Sequence, residues 1–254
     1  MNSPPSIDHR PAIRFCIVSA GRTGSTWLRY LLDYHPHARC HGEVFGDNLS
    51  GLADPGSAEE ERVRAERDHD PTGFLFRRVL VAEGASAVGF KMLYGQLLGR
   101  WPAVLQALRS DPTVHIVHLV RRDLVRRFVS EYLVGTGAVR HRYFHHEAPP
   151  EIVPVEIPVE SLLADLRRVT GDMDAMRQAF GGNSLLEIAY EDTIDEHGPG
   201  MRALLGFLGL APARLWSPTR RVLPERASAV IANMDEVEAA LRGTPFETML
   251  AGPR

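Results

Sequence analysis

Cysteine is nearly missing from this chain: two residues in 254, Cys16 and Cys40, cannot build a disulfide framework and read as buried free thiols. Long apolar runs are missing as well. No stretch reaches membrane-spanning length, and the polar, proline-rich start from Met1 to Pro11 holds no signal-peptide core, so the expectation is a cytoplasmic protein that does not enter a membrane. A surplus of positive charge is absent: the net charge is −3, which argues against a general nucleic-acid or anionic-membrane binder and makes any anion site local. No His, Cys, Asp and Glu cluster at metal-ligand spacing, so no metal is expected. The scarcest residue of all is lysine. Of 29 Lys and Arg residues only Lys91 is a lysine, a ratio that reflects a GC-rich genome and invites a functional reading of the one exception.

What is present is an ordinary globular composition, 44% hydrophobic and 24% charged, in a chain long enough to bury a full core as one domain over residues 1–254. Its strongest local signal is Ser19-Ala20-Gly21-Arg22-Thr23-Gly24-Ser25-Thr26-Trp27, set between an apolar run (Ile13 to Val18) and Leu28-Arg29-Tyr30-Leu31-Leu32 at helical spacing. A buried strand, a glycine loop and a helix start in that order make an anion site, because the first-turn N–H groups and the helix dipole both favour negative charge. Gly21 and Gly24 let the backbone approach a phosphate, Thr23, Ser25 and Thr26 bring hydroxyls, and Arg22 brings a planar cation. A nucleoside-triphosphate loop would carry a lysine directly before Ser25 or Thr26. None is there, which weighs against an ATPase or kinase with a degenerate loop.

Along the chain, apolar runs at 87–92, 114–120 and 184–190 read as further buried strands. Helices are expected at 72–83, 101–108, 122–134, 161–180 and 200–208, with one or two more within 224–241. The fold class is therefore α/β, a mostly parallel sheet with helices on both faces. Residues 46–71 read as a loop with a solvated helix, and 135–158, broken by prolines 149, 150, 154 and 158, as a long functional loop. His141, His145 and His146 in that loop read as a solvated cluster, and Arg126 and Arg127 as a solvated basic helix face. Tyr190 reads as an ordering residue at a sheet edge.

A second anion signal lies in Val120-Arg121-Arg122-Asp123, with Ser130 eight residues after Arg122. Eight residues at 100° each return to nearly one helix face. With both motifs in hand, the chain resembles the sulfotransferases that use 3′-phosphoadenosine 5′-phosphosulfate (PAPS). Arg22 to Thr26 fits that family's loop, and Arg121-Arg122-Asp123 is similar to its bacterial carbohydrate members, the trehalose and nodulation-factor types. The stretch Ile231-Ala232-Asn233-Met234-Asp235-Glu236-Val237, with Ala240-Leu241 and Gly243-Thr244, resembles the same group, and the likeness spans about residues 13–250.

The resemblance implies a P-loop-like nucleotide-binding fold, PAPS as donor with PAP as product, and a hydroxyl acceptor on a carbohydrate or a small natural product. It implies that Gly21 to Thr26 hold the 5′-phosphosulfate, that Arg122 and Ser130 hold the 3′-phosphate, and that Arg221, with its neighbour Arg220, adds a basic contact. Trp27 packs on the adenine, at the acceptor mouth or in the core. Lys91, at a strand's C-terminal end, polarises the sulfuryl group or the leaving phosphate. Aryl and steroid members carry K-T-H here, whereas this chain has Lys91-Met92-Leu93, so the base lies elsewhere. Glu43, 21 residues beyond Arg22 as in the trehalose type, is the leading candidate, and His41, two residues away, is the other. A carboxylate is a weak base for a sugar hydroxyl, so its proton transfer would come late. The likeness also allows a homodimer, since some relatives pair to complete an acceptor site. A non-catalytic PAP- or PAPS-binding regulator is the other reading these motifs permit.

Overall fold

The computed structural model describes residues 12–47, 49, 52–141, 143–221, 223–224 and 229–250. The proline-rich start and residues 225–228 lie outside these. Five strands form one sheet, β1 (Ile13–Ser19), β2 (Ala38–His41), β3 (Ala87–Leu93), β4 (Val114–Val120) and β5 (Leu185–Ala189), in the order β2-β3-β1-β4-β5. Every neighbouring pair is parallel. Parallel neighbours require crossover connections, which bring helices onto both faces and bury the strands on both sides. That is why Phe15 to Val18 reads as an unbroken apolar run and, with Ser19, lies wholly out of solvent.

The helices are α1 (Ser25–Tyr34), α2 (Ala58–His69), α3 (Pro71–Phe74), α4 (Pro102–Ser110), α5 (Leu124–Gly135), α6 (Val159–Ala179), α7 (Tyr190–Thr193), α8 (Pro199–Phe207) and α9 (Met234–Leu241). On one face Phe15 and Ile17 meet Leu28, Leu31 and Leu32 of α1 and Leu204 of α8. On the other, Cys16 and Val18 share a core with Val104, Val125, Val129, Leu162 and Val237. Each fully buried leucine contributes about 1.5–3 kcal/mol relative to exposure, so the three on α1 hold that helix, and the loop before it, against the sheet.

Several expectations shift. The helix expected over 72–83 is α3 followed by a π turn, Leu75–Val79, closed by Leu80 N–H donating to the Leu75 carbonyl. It stops at Val79, because Leu80 leaves helical geometry at φ −95° and ψ 38°. The helix expected from Arg122 starts two residues later, since the Asp123 side chain accepts from the Arg126 N–H and caps it. Of residues 224–241, Met234–Leu241 form a helix. Arg126 and Arg127 are not solvated. Both are buried, and Arg127 pairs with Asp165 of α6 while reaching the Gly21 carbonyl at 3.3 Å. A guanidinium so placed ties α5 and α6 to the glycine loop. Residues 136–158 carry no helix or strand of their own among the described residues, but bridges Phe144↔Thr219 and Val155↔Ile231 fasten them to the C-terminal segment.

Candidate active site

The C-terminal ends of β1, β3, β4 and β5 open into one cleft of about 400 Å³. Open parallel sheets place their ligands at this edge, where chain leaves the strands and side chains can converge. The loop leaving β1 is held in an unusual backbone shape: Arg22 has φ 63° and Gly24 φ 81°. An arginine in the left-handed region is strained, and such strain gathers at functional sites. At Gly24 a side chain is excluded as well, because a Cβ there would lie 2.4 Å from the Tyr190 ring. Helix α1 begins at the next residue, so its first-turn N–H groups face the cleft without intrahelical acceptors.

Lys91, two residues before the end of β3, is 5% exposed and lines the cleft. Its ammonium donates to Ser25 Oγ at 3.2 Å and Thr26 Oγ1 at 3.0 Å, and lies 2.8 Å from Glu43 Oε1. Glu43 stands in a three-residue turn, where the Val44 N–H donates to the Gly42 carbonyl at 3.0 Å. That turn ends the alternation begun in β2. Hence Glu43 lines the cleft while His41, buried at the last position of β2 and paired in register with Phe90, does not.

Arginines line the cleft as well. Arg22 Nε donates to Ser130 Oγ at 2.9 Å and its Nη1 to the His141 carbonyl at 2.8 Å. Arg121, the first residue after β4, donates to the Arg22 carbonyl at 2.9 Å and lies 5.2 Å over the Tyr190 ring. Burial pushes both guanidinium groups below the usual arginine value, and both remain cations at any ordinary pH. Arg121 Nε is buried with no hydrogen-bond partner among the described residues. A buried, unpaired donor on a desolvated cation fits an anionic ligand. Ser130 and Arg126 line the cleft too.

Arg122 is not brought there. It forms a two-pronged pair with Asp192, at 2.7 and 2.5 Å, on the outer surface, its side chain 61% exposed. Sequence reasoning chose Arg122 by its spacing to Ser130 along one helix, but the helix begins beyond it. Arg121, quoted in the sequence only as part of Arg121-Arg122-Asp123, lines the cleft instead, and its position immediately after a strand was the signal that could have singled it out.

Trp27 meets Tyr190 edge-on at 6.3 Å, and with Trp216 they give the cleft an aromatic wall. Tyr190 therefore belongs to the cleft as well as to the sheet edge. Gly21, Arg220 and Arg221 line it, as do His141 and His145 at its solvent margin, whereas His146 stacks on Phe144 away from it. Thr23 is buried beneath the loop, its hydroxyl donating to the Ala20 carbonyl at 2.9 Å. Among the described residues no helix is long and apolar enough to cross a membrane, and no His, Cys, Asp and Glu group is arranged to hold a metal ion.

A parallel sheet whose central strand runs through a strained glycine loop into a helix start, with cations converging on that loop, defines an α/β protein of the P-loop-like, anion-binding class. The chain belongs to the sulfotransferase family, whose model matches residues 15–214. No curated protein matches its sequence. Among solved structures it is similar to a sulfotransferase from Alicyclobacillus acidocaldarius at 17% identity, over 96% of this chain and 98% of that one, with a TM-score of 0.49. It is also similar to the sulfotransferase domain of the Synechococcus PCC 7002 olefin synthase, again at 17% identity, over 82% and 78% of the two chains, with a TM-score of 0.44.

Proposed function

We propose that this sulfotransferase moves the sulfuryl group of PAPS to a hydroxyl of a carbohydrate or small natural product, with PAP as the other product. The observation that carries the reading is the cluster in which Lys91 joins the loop hydroxyls of Ser25 and Thr26 to the carboxylate of Glu43. The loop N–H groups, Ser25, Thr26 and Lys91 would hold the phosphosulfate. Arg121, Arg126 and Ser130 would hold the 3′-phosphate, and Trp27 and Tyr190 would flank the base, with Arg221 at the rim. The carbohydrate class rests on the sequence likeness in Arg121-Arg122-Asp123 and in the Arg22-to-Glu43 spacing.

When bound, the donor supplies the sulfuryl group, an O–S bond to the acceptor forming as the bridging S–O bond breaks and leaves its electron pair on the 5′-phosphate. Lys91 places a buried positive charge beside that developing negative charge, where a desolvated cation acts most strongly. Glu43 accepts the acceptor's hydroxyl proton at its carboxylate, which the cleft reaches and His41 does not share. Arg22 braces Ser130 and the loop rather than performing proton chemistry.

Calorimetric titration with PAP, against 5′-AMP and Mg-ATP as controls, tests the donor half. Tight binding that needs the 3′-phosphate and no metal is expected, and preference for Mg-ATP or no binding would overturn it. Radiolabelled PAPS with a panel of sugars and polyols tests the transfer. Binding without any sulfate transfer or release would return the protein to the class of PAP-binding regulators.

A further inference from the structure

Glu43 has a second partner. Its Oε2 accepts a hydrogen bond from Gln96 Nε2 at 3.1 Å, while the same Gln96 carboxamide accepts from the Leu93 N–H at 2.9 Å through Oε1. The amide cannot be reversed, since a backbone N–H needs an acceptor and Glu43 needs a donor; the two bonds fix which end faces which group. Gln96 is in turn anchored as the first residue of a π turn, Gln96–Arg100, whose closing bond runs from the Trp101 N–H to the Gln96 carbonyl at 2.8 Å. π turns of this kind recur at functional sites, where one extra residue re-aims a side chain. At Gly46 a Cβ would sit 3.2 Å from Gln96 Nε2 and 3.3 Å from Glu43 Cβ, so the glycine leaves room for the pair.

We infer that Gln96 is a positioning residue for Glu43, the group that keeps the carboxylate aimed when Lys91 turns to the donor. The inference rests on Glu43 acting as the base. Lys91 sits on Oε1 and Gln96 on Oε2, so the two oxygens have different duties. A donor anion competes with Glu43 for the Lys91 ammonium and frees Oε1 to take the acceptor's proton. Oε2 keeps its neutral donor throughout, because Gln96 carries no charge for an anion to attract. Side chains around the turn complete the frame: Arg67 Nη1 donates to the Val44 and Gly46 carbonyls at 3.2 and 2.6 Å, and Trp101 Nε1 to the Phe45 carbonyl at 2.7 Å. With the backbone of 44–46 held this way, the remaining freedom of Glu43 is rotation of its own side chain, and Gln96 stops it.

The test measures sulfate transfer from PAPS to whichever panel acceptor the wild-type protein sulfates, or to water, together with PAP affinity, for Gln96→Met, Gln96→Glu and Glu43→Gln. Gln96→Met should lower kcat about 10-fold, the loss of one well-oriented hydrogen bond, and leave PAP affinity and the KM for PAPS within about 2-fold. Gln96→Glu keeps the bond to the Leu93 N–H but sets a carboxylate against Glu43, whose other charged neighbour is Lys91. Its kcat should fall at least as far as in Gln96→Met, again with PAP affinity unchanged, whereas a residue that only supported the fold would lower kcat and PAP affinity together. Wild-type kcat in Gln96→Met or in Gln96→Glu, or PAP affinity falling in step with kcat, with Glu43→Gln inactive, would overturn the inference and leave Glu43 as base. Full activity in Glu43→Gln, or a wild-type protein that releases no sulfate, would remove the reading of function beneath it and the inference with it.

Discussion

Gly24→Ala isolates the two demands made at the turn into α1. The first is the backbone: φ of 81° costs an L-residue roughly 1–2 kcal/mol. The second is space, since the new Cβ would meet Tyr190 Cδ2 at 2.4 Å and Cε2 at 2.5 Å, closer than carbon atoms tolerate. Relieving that overlap turns the Tyr190 ring away from Trp27 and Arg121, a packing cost of about 1–3 kcal/mol. A total of about 3 kcal/mol corresponds to a Tm lower by about 6–12 °C in a chain of this size. The companion Tyr190→Ala empties the space but leaves the backbone demand. Gly24→Ala introduced into that background should therefore cost only about 1–2 kcal/mol. Thermal unfolding of the four proteins of this cycle, followed by PAP titration, reads both terms. An equal cost for Gly24→Ala in the two backgrounds would refute the steric half of the reasoning. A negligible cost in both would refute the backbone half.

Arg121→Ala should weaken PAP binding by about 10–100-fold, the worth of a charge-assisted hydrogen bond at a buried site, while Arg122→Ala, an exposed pair with Asp192, should stay within about 2-fold; the reverse order in a titration would restore Arg122 as the 3′-phosphate contact. Lys91→Ala should lower turnover by about 10²–10³-fold, as loss of a transition-state cation does, and activity near wild type would dismiss its role. Arg67→Met strips the donors from the Val44 and Gly46 carbonyls and should lower stability by about 3 kcal/mol, seen in urea unfolding. Burial holds His118 below the ordinary histidine value, against the opposing pull of Glu187. The unfolded chain then takes up a proton at that residue where the folded one does not, so this contribution is intact above about pH 6.5 and is lost as pH falls below it, at up to ~1.4 kcal/mol per unit. The Arg177 hydrogen bond lowers Glu187, whose own contribution is lost only at more acid pH, within the carboxylate range. His118→Gln should flatten the slope of urea stability between about pH 6.5 and 5, and an unchanged slope would assign it elsewhere.

Four of the five strands were legible because parallel strands buried on both faces advertise themselves as apolar runs, whereas the edge strand β2, Ala-Arg-Cys-His, carries no such run. Val114–Val120 is the expected strand to the residue, and Ala87–Leu93 differs by one. The loop was legible because glycines at fixed offsets before a helical pattern have few other uses. What stayed hidden was set by contacts between distant segments. Whether Arg121 or Arg122 enters the cleft depends on Asp123 capping α5 and on Asp192 waiting outside, neither of which leaves a local periodic trace. Arg126 and Arg127 looked like a wet face because charge on a helix usually is, but Asp165 lies 38 residues further on. Gln96 was invisible for the same reason: its partner is 53 residues earlier.

The solitary lysine gives the protein a built-in chemical reporter. Apart from the α-amino group, Lys91 Nζ is the one primary amine in the chain, and it lies under the loop hydroxyls against Glu43. Amine-directed labelling therefore has one side-chain address, shielded while the cleft is intact and opened when the loop lifts or the chain unfolds. Acylation at that address adds a fixed mass and removes a positive charge, so occupancy of the cleft can be followed by intact mass alone, without engineering a probe.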